Sequence, residues 1–475
     1  MSRLNRRSFL RHAAGVAGAS MTGFVSLGAW ACSRNDAPGG QTPRPWRVID
    51  GGYGPLAQAG PELSLPEGFQ YRRLASAGST MSDGLRTPGL HDGMAAFPLP
   101  NGNIRLIRNH EVLVRDPDAP IPQPVYDTGT GGGTTSLEID PRTRELVRDY
   151  VSLSGTARNC AGGPTPWGSW LTCEEIVVGP LSQEARSQLP IPVTPRDSAS
   201  QRIRMQIQQA HGYVFEVPVD AKSPIQPVPL KAMGRFVHEA IAVDPDTGII
   251  YETEDAPTAG FYRFLPNRPG VNGASADLSA GGRLEILAIR ERPEYDCSKD
   301  QTVGASLLVS WVPIDDPDPS SAERNPLAVF QQGRDGGAAS FTRVEGCWYG
   351  DRQIYFTCTD GGDAGRGQVW SYRPDADGGL LTLVFESPGP EVLENPDNLC
   401  VSPRGGILLC EDGGGQNFVR GLTPEGRLFD FALNIESDSE FAGSTFSPDG
   451  QTLFLNIQNP GATFAIWGPW DRGAL

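Results

Sequence analysis

The sequence predicts an all-β protein, specifically a six-bladed β-propeller of four-stranded blades closed by an N-terminal strand. Two observations predict this fold. Short apolar runs alternate with turn residues in a chain that contains 58 glycines and 42 prolines among 475 residues, a pattern typical of sandwiches, barrels and propellers. A strand motif that ends in polar residues also recurs six times, which is the pattern of a repeat architecture.

The recurring motif is an apolar strand followed by one or two acidic or amide side chains. Its six copies are Ile104–Glu111, Ser169–Glu175, Gly248–Asp255, Gln353–Asp360, Gly406–Asp412 and Thr452–Asn459. Before each copy lies another strand and a tight turn, such as Asn101-Gly102 or Pro448-Asp449-Gly450, and these dipeptides are typical of hairpins. Each repeat therefore begins with two antiparallel strands.

A third and a fourth strand are predicted after each motif. The third strand has six copies, but the fourth has five, among them Val228–Ala232, and no copy at the C-terminus. Phe69–Ala75 can supply the missing strand, so that the last blade contains both ends of the chain and no open edge remains. A pair of sandwiches is the alternative, but it does not require motifs of the same period.

Two stretches do not fit the repeat and are interpreted as insertions, near residues 180–209 and 295–333. The remainder, residues 45–475, is predicted to be a single propeller domain.

The N-terminus predicts export. Arg6 and Arg7 precede a mostly small and apolar run from Ala13 to Ala31, which is typical of a twin-arginine (Tat) signal peptide that engages the Tat export machinery. Residues 1–44 are therefore predicted to be a signal peptide and linker, and the protein to be periplasmic or secreted. Cys32 follows a small-x-small cleavage site, so a lipidated cysteine is an alternative. No other stretch is long and apolar enough for a transmembrane anchor.

The net charge limits the classes of binding partner, and the number of cysteines limits the disulfide pairing. The formal net charge is −16 and no basic stripe offsets it, which argues against nucleic-acid binding. An acidic surface and clustered carboxylates for cations both remain compatible with this excess. Seven cysteines follow Cys32, and an odd number in an oxidising compartment leaves at least one thiol unpaired.

Equivalent repeat positions in a propeller lie on rings around the central channel. The first ring is predicted to hold Asp92, Cys160, Glu239, Glu345 and Asp397, and the second Glu111, Glu175, Glu254, Asp360 and Asp412. The same interval separates Cys160 from Glu175, Glu239 from Glu254, Glu345 from Asp360 and Asp397 from Asp412. In the last repeat, Ala442 and Gly443 replace the first acid, and Gln458 and Asn459 the second. Packed carboxylates need cations, so the rings predict a metal centre.

Single acids at strand ends are more often turn caps, and a lone Cys160 can be a small buried residue. Cys173, Cys358 and Cys410 compete for the thiolate role, although packing in the strand core suits them better. Arg343 is predicted to bind a phosphate, with a salt bridge to a ring acid as the alternative. Asn109 and Asn398 are predicted to orient substrate or to donate a carbonyl ligand, and His110 and His238 to act as acids or as supporting residues.

Several longer motifs surround these residues: Asn109-His110-Glu111, Cys160-Ala161-Gly162-Gly163, Leu171-Thr172-Cys173-Glu174-Glu175, Arg343-x-Glu345-Gly346 and Asn395-Pro396-Asp397-Asn398. With these motifs, the chain from about residue 45 resembles the PhoX family of Tat-exported alkaline phosphatases. The resemblance implies a six-bladed propeller with two ferric ions and several Ca²⁺ ions. It places Cys160, Glu239 and Glu345 on the iron side, and Arg343 on the phosphoryl group. Glu111, Glu175, Asp360, Asp397 and Asp412 would be shared with calcium.

The predicted function is therefore metal-dependent hydrolysis of small phosphate esters by a monomer. One alternative is a calcium-dependent lactonase or esterase-like propeller, which needs about four ligands and no thiolate. The other is a non-enzymatic secreted propeller in which metal ions only stabilise the channel.

Overall fold

The computed structural model describes residues 52–116, 118–181, 205–271 and 274–475. The predicted signal peptide and most of the predicted insertion at 180–209 lie outside these residues. Three strands precede the repeats: β1 (Leu56–Gln58), β2 (Leu63–Pro66) and β3 (Gln70–Ser76).

The rest of the chain forms consecutive antiparallel units. The first unit contains β4 (His91–Pro98), β5 (Ile104–His110), β6 (Gly132–Asp140) and β7 (Glu145–Thr156). The second contains β8 (Asn159–Pro164), β9 (Ser169–Glu174) and β10 (Val214–Pro218). The third contains β11 (His238–Val243), β12 (Ile250–Glu254), β13 (Phe261–Pro266) and β14 (Gly282–Ile289), and β15 (Ser306–Pro313) and helix α1 (Ala328–Asp335) follow it.

The later units repeat the pattern. The fourth contains β16 (Val344–Gly350), β17 (Gln353–Cys358), β18 (Gln368–Arg373) and β19 (Leu380–Glu386). The fifth contains β20 (Pro396–Val401), β21 (Ile407–Glu411), β22 (Phe418–Leu422) and β23 (Leu428–Asn434). The last contains β24 (Phe441–Phe446), β25 (Leu453–Ile457) and β26 (Ala462–Trp467).

The strands form a propeller-like ring. The first strand of each unit contacts the first strand of the next, in the order β4, β8, β11, β16, β20 and β24, and β24 contacts β4 again. β3 pairs with β26 in antiparallel register, with Tyr71 opposite Ile466. An N-terminal strand thus closes the last unit, as predicted from Phe69–Ala75.

Hydrogen bonding groups the described strands into five sheets rather than six separate ones. β15 lies in the segment that the sequence placed outside the repeat, and it pairs with both β14 and β19, joining the third and fourth units in one sheet. β2 pairs with β23 and extends the fifth unit.

The second unit has three strands in the described part of the chain, so the strand predicted at Val228–Ala232 is wrong. Lys231–Met233 forms a short 3₁₀ turn there instead. The physical reason is the sequence Pro227-Val228-Pro229, because proline cannot donate a hydrogen bond to a β-ladder.

The core lies between neighbouring units. Phe261 stacks on Phe356 with ring centroids 4.4 Å apart, so the third and fourth units share one apolar cluster. Tyr53 and Phe69 from the N-terminal segment pack against Phe431 and Trp470. Within the described residues, no helix is long and apolar enough to cross a membrane.

Candidate metal centre

The candidate site begins with a β-bulge that recurs at the same place in the first strand of every unit. The pairing register shifts between His91 and Met94, and at the corresponding positions Asn159/Gly162, His238/Ile241, Val344/Cys347, Pro396/Leu399 and Ala442/Thr445. Five of these bulges contain the predicted first-ring residues, Asp92, Cys160, Glu239, Glu345 and Asp397. Because a bulge breaks the alternation of side chains and re-aims one of them, it can direct these side chains to a common centre.

Most of the bulged residues are held by a side chain from the preceding unit. The acceptor is the backbone carbonyl of the ring residue, and the donor lies on the second strand of its neighbour. The pairs are Asn109 Nδ2 with Cys160 O (3.1 Å), Thr253 Oγ1 with Glu345 O (2.6 Å), Thr357 Oγ1 with Asp397 O (2.7 Å) and Asn456 Nδ2 with Asp92 O (2.6 Å). Since a bulge leaves backbone groups outside the ladder, these bonds satisfy carbonyls that would otherwise be costly to bury.

The ring side chains converge into four overlapping groups. Each group contributes three ligand atoms within 4.8 Å of one another, and every member is buried: Cys160, Glu175 and Glu239; Glu239, Glu345 and Asp397; Asp397, Asp412 and Glu440; and Asp92, Glu111 and Glu440. Glu239, Asp397 and Glu440 each belong to two groups. A carboxylate has two oxygens, so each shared residue can serve two cations.

One corner of the arrangement differs chemically from the rest. Cys160 Sγ lies 3.1 Å from Glu239 Oε1, and both side chains are fully buried. The other groups contain carboxylates alone. A thiolate favours a transition metal, whereas carboxylates suit hard ions such as Ca²⁺.

Glu440 is a site residue that the sequence analysis missed. It directly precedes β24 in the last unit, where Ala442 occupies the ring position. Its carboxylate belongs to two of the four groups. The last unit therefore also contributes an acid to the ring. This acid is Glu440, two residues before the predicted ring position at Ala442.

Two predicted second-ring residues lie outside the four groups. Glu254 Oε2 accepts hydrogen bonds from Gly260 N (2.9 Å) and Tyr262 Oη (2.8 Å), within its own unit. Burial raises the pKa of Glu254 to about 8. Asp360 is exposed, and its Oδ1 accepts a bond from Asn395 Nδ2 at 2.8 Å.

Asp255, next to Glu254, takes the inward position and forms an ion pair with Arg343. Arg343 Nε lies 2.9 Å from Asp255 Oδ1, and Arg343 Nη2 lies 3.2 Å from Asp255 Oδ2. Arg343 Nη2 also contacts Glu345 Oε1. Burial raises the pKa of Asp255, and the charge of Arg343 opposes that shift, with a result of about 6.

The profile of the family described as alkaline phosphatase PhoX matches residues 51–461. The chain belongs to the PhoX family. Among solved structures, PhoX of Pseudomonas fluorescens in complex with vanadate, a transition state analogue, matches with a TM-score of 0.66 at 20% identity, covering 88% of this chain and 98% of that chain.

A gluconolactonase of Xanthomonas campestris also matches, with a TM-score of 0.40 and 14% identity over 87% of this chain and 99% of that chain. No curated protein sequence matches the chain significantly. The family match confirms the predicted enzyme class, an alkaline phosphatase, and the Pseudomonas PhoX structure confirms an all-β, propeller-like fold.

Within this PhoX-family chain, the two predicted catalytic asparagines lie beneath the acids and bind protein groups. Asn109 Nδ2 donates to Cys160 O and Ala161 O, and its Oδ1 accepts from Trp170 Nε1 (2.8 Å) and Thr172 Oγ1 (2.9 Å). Asn109 thus uses all four of its hydrogen-bonding positions within the protein. Asn398 Nδ2 donates to Asp397 Oδ1 at 3.0 Å, and Asn398 Oδ1 accepts from Gly443 N.

The histidines predicted as acids are also engaged. His110 contacts Gly89 O and Thr135 Oγ1, and burial, followed by the charge of Arg108, lowers its pKa well below the usual value. His238 contacts Gly234 O, and burial lowers its pKa to about 3. Both imidazoles are therefore held by protein groups, and both have lowered pKa values. None of the seven cysteines among the described residues forms a disulfide, and all seven are buried.

A further buried cluster lies beside Glu175 and was not anticipated. His211 Nδ1 is 2.6 Å from Glu174 Oε1, and its Nε2 is 3.2 Å from Asp127 Oδ2. Burial lowers the pKa of His211, but the charge of Glu174 and the bonds to both carboxylates raise it more, to about 9. Through these contacts, Asp127 and His211 are bonded to Glu174, the last residue of β9.

Proposed function

We propose that this PhoX-family chain is an exported, metal-dependent phosphatase that hydrolyses phosphate esters at a multinuclear iron–calcium site in the propeller channel. The observation that carries the proposal is the convergence of nine buried side chains, one thiol and eight carboxylates, into four overlapping groups with ligand atoms within 4.8 Å. A lactonase with a single calcium ion requires about four ligands, fewer than this arrangement offers.

The residues fit a metal centre on physical grounds. Buried carboxylates at such short separations repel one another, and the penalty is several kcal/mol per ion unless cations neutralise them. Ligand atoms that share one ion lie about 3–4.5 Å apart, since metal–ligand distances are about 2.0–2.6 Å. Cys160 suits Fe³⁺ with Glu239 and Glu345, and the groups containing Asp397, Asp412, Glu440, Asp92 and Glu111 suit Ca²⁺.

When bound, the metal ions would neutralise the phosphoryl charge and activate the attacking oxygen. Arg343 would hold a non-bridging phosphoryl oxygen. The ion pair with Asp255 fixes the plane of its guanidinium. Charge-assisted hydrogen bonds of this kind bind phosphate strongly. Asn109 and Asn398 would hold Cys160 and Asp397 in place.

The same proposal includes the architecture and location. The ring of contacts between the six first strands supports a propeller of six blades. In this architecture β3 completes the last blade, and β15 bridges the third and fourth blades. Arg6 and Arg7, with the apolar run after them, support export by the Tat machinery to the periplasm or the medium. We propose that the protein acts as a monomer on small soluble phosphate esters, and that Asp360 and Glu254 support the site from outside the four groups.

Elemental analysis combined with a phosphomonoester assay tests this function. Protein purified without chelators should contain iron and calcium and should release phosphate. Prolonged chelation should abolish the activity, and Ca²⁺ should restore at least part of it. Full phosphatase activity in metal-free protein would contradict the proposal. Lactone hydrolysis without phosphate release would favour the lactonase alternative.

A further inference from the structure

Arg158 occupies the remaining gap in the circle of acidic groups. The four groups are linked in series, because Glu239, Asp397 and Glu440 are each shared by two of them. The series begins at Glu175 and ends at Glu111. Arg158 Nη2 contacts both of these carboxylates, Glu175 Oε2 at 2.6 Å and Glu111 Oε1 more closely. The guanidinium therefore links the two ends of the series, so that the acidic groups and Arg158 together form a closed ring.

The surroundings of Arg158 are those of an interior cation. Its side chain is only 2% exposed, and Glu111 and Glu175 are also buried. A salt bridge at this depth contributes little stability by itself, because desolvation offsets the attraction. Its two carboxylates are also members of the outermost groups of the series, Asp92–Glu111–Glu440 and Cys160–Glu175–Glu239.

The backbone at Arg158 is strained in the same way as at Arg343. Both residues directly precede a bulged first strand, and both have positive φ angles, 50° and 44°. Leu90 and Asn395 have positive φ angles at the same position of the first and fifth units, so this conformation belongs to the repeat. Arg158 and Arg343 are thus equivalent residues of the second and fourth units, and each guanidinium contacts two acids.

We propose that Arg158 is a built-in cation that takes the place of a metal ion between Glu111 and Glu175. The inference rests on the proposed metal centre and adds a residue that sets how many ions the centre holds. Because a guanidinium stays charged throughout the ordinary pH range, this position is neutralised permanently. The other four groups depend on ions from solution.

Metal counting on an Arg158→Gln variant tests the proposal. Removal of the charge should leave Glu111 and Glu175 facing each other, so the variant should bind about one additional Ca²⁺ per chain. Its melting temperature should rise with free Ca²⁺ more steeply than that of the wild type. Arg158→Lys, which keeps the charge, should retain the metal content of the wild type.

Arg108→Gln is the matched control. Arg108 is also fully buried, but its described partners are the hydroxyls of Thr463 and Thr135. Its loss should leave the number of bound ions unchanged.

An Arg158→Gln variant with the metal content and Ca²⁺ response of the wild type would overturn the inference and leave the proposed function intact. If that variant does not fold even with excess Ca²⁺, the metal content of Arg158→Lys is the test. A metal content above that of the wild type would overturn the proposal, and an equal content would support it. Wild-type protein that binds no metal would overturn both proposals.

Discussion

Asp255 holds Arg343 through two parallel hydrogen bonds, Nε to Oδ1 at 2.9 Å and Nη2 to Oδ2 at 3.2 Å. Asp255 is buried and follows β12, whereas Arg343 directly precedes β16 in the next unit. The arginine is therefore oriented from across a blade boundary.

The first prediction concerns this pair. Arg343→Ala should lower kcat/KM on a phosphomonoester by about 10- to 150-fold, because a charge-assisted contact to phosphate contributes about 1.5–3 kcal/mol. Lysine should restore only part of the loss. Bound metal should stay near the wild-type level. Arg263→Ala, which removes an outer ion pair with Glu285, is the control.

Asp255→Asn should lower kcat/KM by about 5- to 30-fold, since looser orientation costs about 1–2 kcal/mol. The combined variant should be no worse than Arg343→Ala alone, because both changes act through one guanidinium. Additive losses, or an Arg343→Ala variant that keeps its metals and stays within about twofold of the wild type, would show that Arg343 is only a structural ion-pair partner.

The second prediction concerns the thiol. Cys160→Ser should remove the thiolate-to-iron charge-transfer absorption, because its Sγ lies with Glu175 and Glu239 in one group. Cys173→Ser should largely spare that absorption, since Cys173 belongs to none of the four groups among the described residues. Burial and nearby carboxylates also raise its pKa well above the usual value. Visible spectra of the two variants decide, and the opposite result would assign the ligand to Cys173.

The third prediction concerns Glu440. Glu440→Gln should reduce the bound calcium by about one ion per chain, because the residue belongs to two carboxylate groups and the amide keeps the shape without the charge. The exposed neighbour Glu436, which pairs with Arg73 on the surface, supplies the control variant Glu436→Gln. Equal calcium contents in both variants would show that Glu440 is not a ligand of the metal centre.

The fourth prediction concerns His211 and pH. The folded-state pKa of about 9 exceeds the unfolded value of about 6.5. The ion pairs with Glu174 and Asp127 should therefore stabilise the fold fully below pH 6.5, and this contribution should be lost as the pH rises through about 9. Its size is on the order of 3 kcal/mol. Urea unfolding of the wild type should show the decline, and His211→Gln should flatten it in this window.

The repeat in the sequence predicted a propeller-like ring and eight of the nine residues in the four groups, because equivalent positions of a repeat return to one axis. The details that it missed depend on pairing between strands. A bulge arises from a mismatch in the pairing of two strands, and one sequence alone does not show that pairing. The sequence therefore does not show that Glu440, which precedes β24, reaches the ring in place of Ala442. The exchange of Glu254 for Asp255 has a similar cause, since a shift of one residue turns a strand's side chains to the opposite face.

The pairing of β3 with β26 has a consequence for biosynthesis. β3 is translated before the strands of all six units, and its partner β26 is the last strand of the sixth unit. A nascent polypeptide on the ribosome therefore carries β3 with an unpaired edge until β26 has been synthesised, and such edges invite association with other chains. Folding dominated by such distant contacts is slow, so the ring should close only after β26 has emerged from the ribosome.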